Sequence, residues 1–383
     1  MASDLPHQLP AANKTLTAQC LCKAVHFTIT LPTSALPLPV HLCHCHICRY
    51  THGTLNVFHA ALPAHITPTF IAPSSIESSL TGYIHSSLAA SERLFCSTCG
   101  CHIGDRDLVP SPSTGIAEWR VATSIFDQHT PSTFQIRSHA FTRAGTAAGL
   151  HQWLPTLGSR TLNHWDPEPN STTFPIPQPP PLQPELDENG NERLRAECHC
   201  GGVSFTIPRP YVPGIADDKV LSRYVSREDP RKWLACLDVC DDCRLVDGTH
   251  VVAWTFIPLA HIEPKIPADF KGFGTLVTYQ SSEDVVRSFC GVCGATVFFS
   301  CKSRTDEAGG GKRTVVDVAV GLLRAPEGAT AENWLTWRTG RLAWRDSGMR
   351  YDGEFTQSLE KGLREWGVKR DGKVLGFTIP YED

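Results

Sequence analysis

Alternation of apolar and polar positions runs through most of this chain. Val25, Phe27 and Ile29 alternate with polar neighbours and predict a strand over residues 15–30. A second strand is expected just before His41, after a loop holding Pro32, Pro37 and Pro39. Residues 55–62, 119–126 and 134–141 read as further strands, and 65–83 as short strands punctuated by Pro and Ser. Residues 203–207, 251–257, 276–279, 295–299 and 315–323 have the same character. Helical spacing is scarce. One helix is expected near 144–154, and a second at 355–366, where Leu359, Leu363 and Trp366 share a face. Trp119, Trp153, Trp254, Trp334, Trp337 and Trp344 are expected in the core or between domains. The fold class is therefore mainly β.

Two β-rich halves flank a proline-rich stretch. Residues 166–192 include Pro167, Pro169, Pro175, Pro177, the run Pro179-Pro180-Pro181 and Pro184, a composition that favours an extended polyproline spacer. A role as a ligand for proline-binding domains is the lesser reading. Three glycines within residues 308–312 suggest a hairpin loop or flexible insertion.

Cysteine then changes the picture. Cys43-His44-Cys45-His46-Ile47-Cys48-Arg49 packs three thiols and two imidazoles into six residues. Cys20-Leu21-Cys22 lies upstream, and Phe95-Cys96-Ser97-Thr98-Cys99-Gly100 downstream. Seven thiols fit one closed four-ligand zinc site and one three-ligand site with an open position. The ordered set then recurs: Cys198-His199-Cys200, Cys240-Asp241-Asp242-Cys243-Arg244, and Phe289-Cys290-Gly291-Val292-Cys293-Gly294. Such recurrence predicts a tandem duplication. The wider first interval of the second half reads as a loop insertion around residues 217–231.

Length and charge add limits. A chain of 383 residues should hold two domains. A net charge of −4 gives no electrostatic reason to bind nucleic acid or an anionic membrane. No apolar leader and no membrane-spanning run is seen, so a cytoplasmic location is expected, with the nucleus as the alternative. The 16 cysteines cluster in short motifs, which favours reduced, metal-holding thiols over disulfides.

The motifs C-x-C-x-x-V-x-F, C-x-C-x-x-C-R and F-C-x-x-C-G resemble those of the glutathione-dependent formaldehyde-activating enzymes and centromere protein V. The resemblance implies two tandem zinc-pinned, Mss4-like β domains joined by the Pro-rich linker. Their expected bounds are a disordered tail at 1–14, a first domain at 15–165, the linker at 166–192, a second domain at 193–370 and a tail at 371–383. It implies a structural zinc on Cys20, Cys22, Cys96 and Cys99, and an open, catalytic zinc on Cys43, Cys45 and Cys48. In the second half it implies a structural zinc on Cys198, Cys200, Cys290 and Cys293, with Cys240 and Cys243 left at the open site. There Asp238 stands where the first half has Cys43. Asp238 supplies an oxygen ligand, Cys236 swings in, or the second open site is lost. Two zinc ions are thus expected in the first half and one or two in the second.

The implied reaction joins a small thiol partner, glutathione, to formaldehyde as S-hydroxymethylglutathione, in the carbon–sulfur lyase class. A thiol that coordinates zinc is deprotonated near neutral pH, which suits it to attack an aldehyde. Arg49 and Arg244 are expected to support thiolates or backbone near the metal, or else to grip a substrate carboxylate. His44 and His46 are candidate proton shuttles or simply polar loop positions. Cys101 is a buried thiol or a spare ligand, and Cys301 belongs to core or surface. The competing reading is a non-catalytic zinc-pinned module that scaffolds a protein or chromatin partner. A redox role ranks last, since no resolving Cys pair stands apart from the metal motifs.

Overall fold

The computed structural model describes residues 12–143, 149–167, 185–306 and 313–380. The N-terminal residues of the expected tail, positions 168–184 of the expected linker and the triple-glycine segment lie outside them.

Strand alternation becomes two large sheets with one strand order. In the first half the sheet runs Asn163–Trp165, Phe134–Ala140, Leu38–Cys43, Val57–Ala61, Trp119–Ala122, His102–Asp107, Ser91–Cys96, Leu80–Tyr83. In the second it runs Leu335–Trp337, Trp233–Asp238, Val252–Pro258, Arg313–Ala319, Thr296–Cys301, Val285–Cys290, Leu276–Ser282. The pairing of Phe134–Ala140 with Leu38–Cys43 is parallel, as is that of Leu335–Trp337 with Trp233–Asp238. Each half also carries a small three-stranded sheet whose hairpin turn bears the first Cys motif. The strand expected over 15–30 is thus two strands, Asn13–Gln19 and His26–Pro32, with Cys20 and Cys22 in the turn.

Helix is placed differently from the sequence reading. The middle motifs open short helices, His46–His52 and Asp241–Asp247. Both end on a left-handed glycine, Gly53 (φ 73°) and Gly248 (φ 67°). A Cβ on Gly53 would lie 2.2 Å from the Thr296 carbonyl oxygen, and one on Gly248 would lie 2.3 Å from that of His102. Glycine is needed there for both φ and clearance. The helix expected near 144–154 is only the 3-10 turn Leu150–Gln152 among the described residues. The C-terminal helix runs Gly353–Asp371, capped by Asp352, whose carboxylate accepts the Phe355 N–H at 3.0 Å.

The halves pack as matched partners. Leu21 donates its backbone N–H to the Leu245 carbonyl at 3.0 Å, and the matching His199 donates to Tyr50 at 3.0 Å. Phe95 and Phe289 meet edge to face, with centroids 6.3 Å apart. Trp153 of the first half contacts Trp337 and Trp366 of the second (4.7 and 5.5 Å), and Phe58 meets Phe355. Buried side chains of both halves form one contiguous core. Trp344 departs from the expected core placement: it is 47 % exposed, in a left-handed conformation, at the rim of a cavity.

Candidate metal centres and active site

The turn of each small sheet and the C-x-x-C turn of each large sheet converge on a four-thiol group. In the first half Cys20 Sγ lies 3.4 Å from Cys22 and 3.8 Å from Cys96, and Cys22 lies 3.6 Å from Cys96. Cys99 completes the group. In the second, Cys200 lies 3.5 Å from Cys198 and 3.4 Å from Cys290, and Cys293 completes it. Four sulfurs at ~2.3 Å from a tetrahedral zinc stand about 3.75 Å apart, so the spacing fits the metal. Backbone N–H groups of Val25 and Val203 point at Cys20 and Cys198 at 3.4 and 3.3 Å, a pattern that favours thiolate. Thr275 adds a 3.0 Å contact to Cys290. Cys101 is fully buried but stands outside the tetrad, its Sγ directed at the His102 carbonyl.

The middle motif forms a three-thiol group. Cys43 ends its strand, Cys45 caps helix His46–His52, and Cys48 lies in the first turn, with its N–H on Cys45 Sγ at 3.4 Å. The three sulfurs lie within 4.8 Å of one another. Hydrogen bonds from Cys43 and Cys45, aided by the charge of Arg93, hold the Cys48 thiol well below its ordinary pKa against the effect of burial. The same bonds push Cys43 well above. Thiols this close share negative charge poorly without a cation among them.

These thiols floor a cavity of about 1180 Å³. Its walls include Arg93, Arg120, Arg137, His59 and Asp105, with Phe141 and Trp165 edge to face, 5.0 Å apart. Arg93 Nη2 reaches Cys48 Sγ at 3.7 Å, and its Nη1 donates to His85 Nδ1 at 2.9 Å. His59 Nδ1 donates to Asp105 Oδ2 at 3.0 Å, which leaves the His59 Nε2 lone pair without a protein partner. Burial works against the Asp105 carboxylate, yet its contact with His59 and the nearby Arg93 guanidinium outweigh it and lower its pKa.

None of these wall residues figures in the sequence reading. His59 and Asp105 are brought together through strand pairing across Trp119–Ala122, which local spacing does not reveal. Arg93 left a signal, since Arg93-Leu94-Phe95-Cys96 recurs as Arg287-Ser288-Phe289-Cys290, and Arg287 Nη1 contacts Cys243 Sγ at 3.4 Å.

Arg49 and Arg244 turn instead to the domain interface. Arg49 bonds the Tyr50 hydroxyl; Arg244 bonds the Ser124 carbonyl of the other half and lies over the Tyr351 ring at 3.5 Å. His44 donates through Nε2 to His139 Nδ1 at 2.9 Å, and His139 in turn bonds the Leu154 carbonyl at 2.8 Å. That chain fixes the His44 proton in structure, and burial keeps the ring neutral. His46 lies against Tyr50 and does not line the cavity.

In the second half Asp238 takes the place of Cys43. Its Oδ1 accepts the Cys240 N–H at 2.7 Å, and its Oδ2 lies 3.7 Å from Cys243 Sγ. Asp238, Cys240 and Cys243 form one group, while Cys236 lines the adjoining cavity of about 440 Å³ outside that group. Cys301 lines the same cavity. Strand register sets Trp254 where the first half has His59, and Cys236 where it has His41. The His59–Asp105 pair of the first cavity is thus replaced by Trp254 and Phe299, while Arg287, Arg304 and Asp317 keep the second cavity's wall partly polar.

Fold and site define a mainly β protein with thiol-rich metal-binding groups in each half. Residues 15–144 match the family model described as glutathione-dependent formaldehyde-activating enzyme. The match lies within the first half; the second carries corresponding cysteine groups outside the matched residues. No curated protein matches the chain. No helix among the described residues is long and apolar enough to cross a membrane.

Proposed function

We propose that the chain is a zinc-dependent carbon–sulfur lyase whose first half makes and breaks the bond between a glutathione-type thiol and formaldehyde. The observation that carries this reading is the three-thiol group at the floor of a large, arginine-lined cavity, within the segment that matches the family. Zinc held by Cys43, Cys45 and Cys48 would supply an open coordination position that favours the deprotonated form of a substrate thiol.

The chain's own groups do the rest. Arg93 offsets the negative charge gathered on Cys48. Arg137 and Arg120, the latter also paired to Asp107 at 2.7 Å, draw the carboxylates of a peptide thiol to the cavity wall. His59, fixed by Asp105, receives the proton released by the thiol. The sulfur lone pair forms the new S–C bond, the carbonyl π pair moves to oxygen, and His59 returns the proton there. Reversal cleaves the same bond. Holding both reactants in one cavity contributes proximity, the main advantage over the uncatalysed addition.

The second half retains a closed metal clip and an Asp238-containing group but lacks the His59–Asp105 pair, so it serves as a structural partner. A scaffold for a protein or chromatin partner would have no need of the cavity. Cobalt-substituted protein tests the reading. Glutathione should add thiolate-to-cobalt charge-transfer intensity in the wild-type chain and none in Cys48→Ser. An unchanged wild-type spectrum would remove thiol binding at this site.

A further inference from the structure

One side of the interface between the halves carries a group of donors that the proposed reaction does not use. His129 follows the 3-10 turn Thr123–Ile125 of the first half, His250 follows the middle-motif helix of the second, and Asp352 caps the C-terminal helix. Their ligand atoms lie within 4.8 Å of one another. His129 Nδ1 is 2.9 Å from Asp352 Oδ2, and His250 Nδ1 is 3.9 Å from the same oxygen. Side-chain exposure is 4 %, 1 % and 13 % for His129, His250 and Asp352.

Thr123 Oγ1 lies 3.3 Å from the Phe58 carbonyl and 3.0 Å from His250 Nε2; with its proton on the carbonyl, it accepts from His250 Nε2–H, the tautomer that a metal on Nδ1 requires. Nδ1 of His250 is then a bare lone pair, buried, with no hydrogen-bond partner and a carboxylate oxygen in front of it. Asp352 Oδ2 takes one proton, from His129 Nδ1–H at 2.9 Å, while the buried His250 Nδ1 faces the same oxygen unpartnered; a cation in place of that proton would serve all three atoms. Burial, with His129 and Arg244 close by, keeps His250 from meeting that need by protonation. Arg244 is occupied by Ser124, Asp241 and the Tyr351 ring; its charge opposes a cation, and the Asp352 carboxylate offsets it.

We propose that His129 Nδ1, His250 Nδ1 and Asp352 Oδ2 bind one divalent transition-metal ion, zinc by donor type, which clamps the two halves and the C-terminal helix together. Imidazole and carboxylate atoms on one tetrahedral zinc lie about 3.3 Å apart, between the two separations observed. The Thr123–Phe58 relay is the outer-shell support that orients a ligating histidine. The clamp is one-sided: the position matching His250 in the first half is Leu55.

Metal counting on the full chain tests the site. Asp352→Asn retains an effective helix cap, and His250→Leu installs the residue of the matching position. Each variant should hold one zinc fewer per chain than wild type, with the charge-transfer intensity of the cobalt-substituted thiol sites unchanged. An equal zinc content in wild type and both folded variants overturns the proposal. Wild-type protein supplies the second measurement, independent of variant folding. After a weak chelator strips nitrogen–oxygen sites but spares thiolate sites, added Co²⁺ should produce d–d bands saturating at one equivalent, with no new thiolate charge transfer. Absence of those bands equally overturns it.

Discussion

Arg93 Nη2 stands 3.7 Å from Cys48 Sγ, and Arg287 Nη1 stands 3.4 Å from Cys243 Sγ, at matching places in the two halves. Both arginines are buried, and the sulfur contact holds each guanidinium in its charged form against desolvation. Replacing Arg93 by Gln removes the charge beside the three-thiol group and leaves the tetrads alone. Metal affinity of that group should fall about 10–100-fold, as for other outer-shell changes. Competition against a colorimetric chelator measures it, and an unchanged affinity would deny Arg93 this part.

Thiol tetrads join each small sheet to its large one, so a metal held there would stabilise the fold directly. Cys20→Ser and Cys198→Ser should each release one zinc and unfold the chain or drive it into aggregates. Apparent binding free energies of structural zinc sites reach roughly 10–16 kcal/mol, well above the stability of a typical domain. Because both halves share one core, loss at either tetrad should disrupt both. Circular dichroism with and without a strong chelator decides the matter; variants that stay folded would contradict it.

Asp247 is fully buried, accepts the Thr296 hydroxyl at 2.9 Å through Oδ1, and leaves Oδ2 without a partner. Burial pushes its carboxyl up to about 7, only partly opposed by Arg287 and Thr296. An unfolded aspartate titrates near ~3.9. Between these values the folded chain holds a proton that the unfolded chain has lost, so stability falls as pH rises through this window. The penalty is complete above about pH 7, on the order of 4 kcal/mol at most. Asp247→Asn removes it while retaining an acceptor for Thr296. On metal-loaded protein, the melting-temperature gain of the variant should widen from pH 5.5 to about 7 and then level off. A gain independent of pH would contradict the assignment.

His59 has its Nδ1 proton committed to Asp105, so its Nε2 is the basic atom. His59→Gln should slow turnover about 10²–10⁴-fold, the range usual for loss of a general base, with glutathione binding to the cobalt-substituted site retained. Equal loss of binding and turnover would mean that His59 only shapes the cavity.

The short Cys motifs were legible in the chain because thiol ligands recur at close, repeated spacings. Which motifs come together, Cys20 and Cys22 with Cys96 and Cys99 and Cys198 and Cys200 with Cys290 and Cys293, was implied only by the family resemblance, and the structure places these thiols in one group each. The β character was legible from alternation such as Val25, Phe27, Ile29. The wall of the site was not, because His59 and Asp105 are 46 residues apart in sequence and meet only through strand register. The middle-motif helices were hidden because metal-binding cysteines occupy the positions that would show apolar periodicity, although Gly53 and Gly248 mark their ends. Arg49 sits next to a ligand in sequence but points toward the partner half, where Tyr50 and Arg324 pack ring to guanidinium at 3.3 Å. Adjacency along the chain was a poor guide to adjacency at the metal.

The most direct test follows exchange between isotopically labelled formaldehyde and S-hydroxymethylglutathione by NMR, using zinc-loaded full-length protein. Uncatalysed exchange is subtracted, and Cys45→Ser and Cys240→Ser are run beside the wild type. Wild type and Cys240→Ser should accelerate exchange, while Cys45→Ser should not. Acceleration that survives Cys45→Ser but is lost in Cys240→Ser would move the chemistry to the second half, and no acceleration by the wild type would contradict the proposed activity altogether.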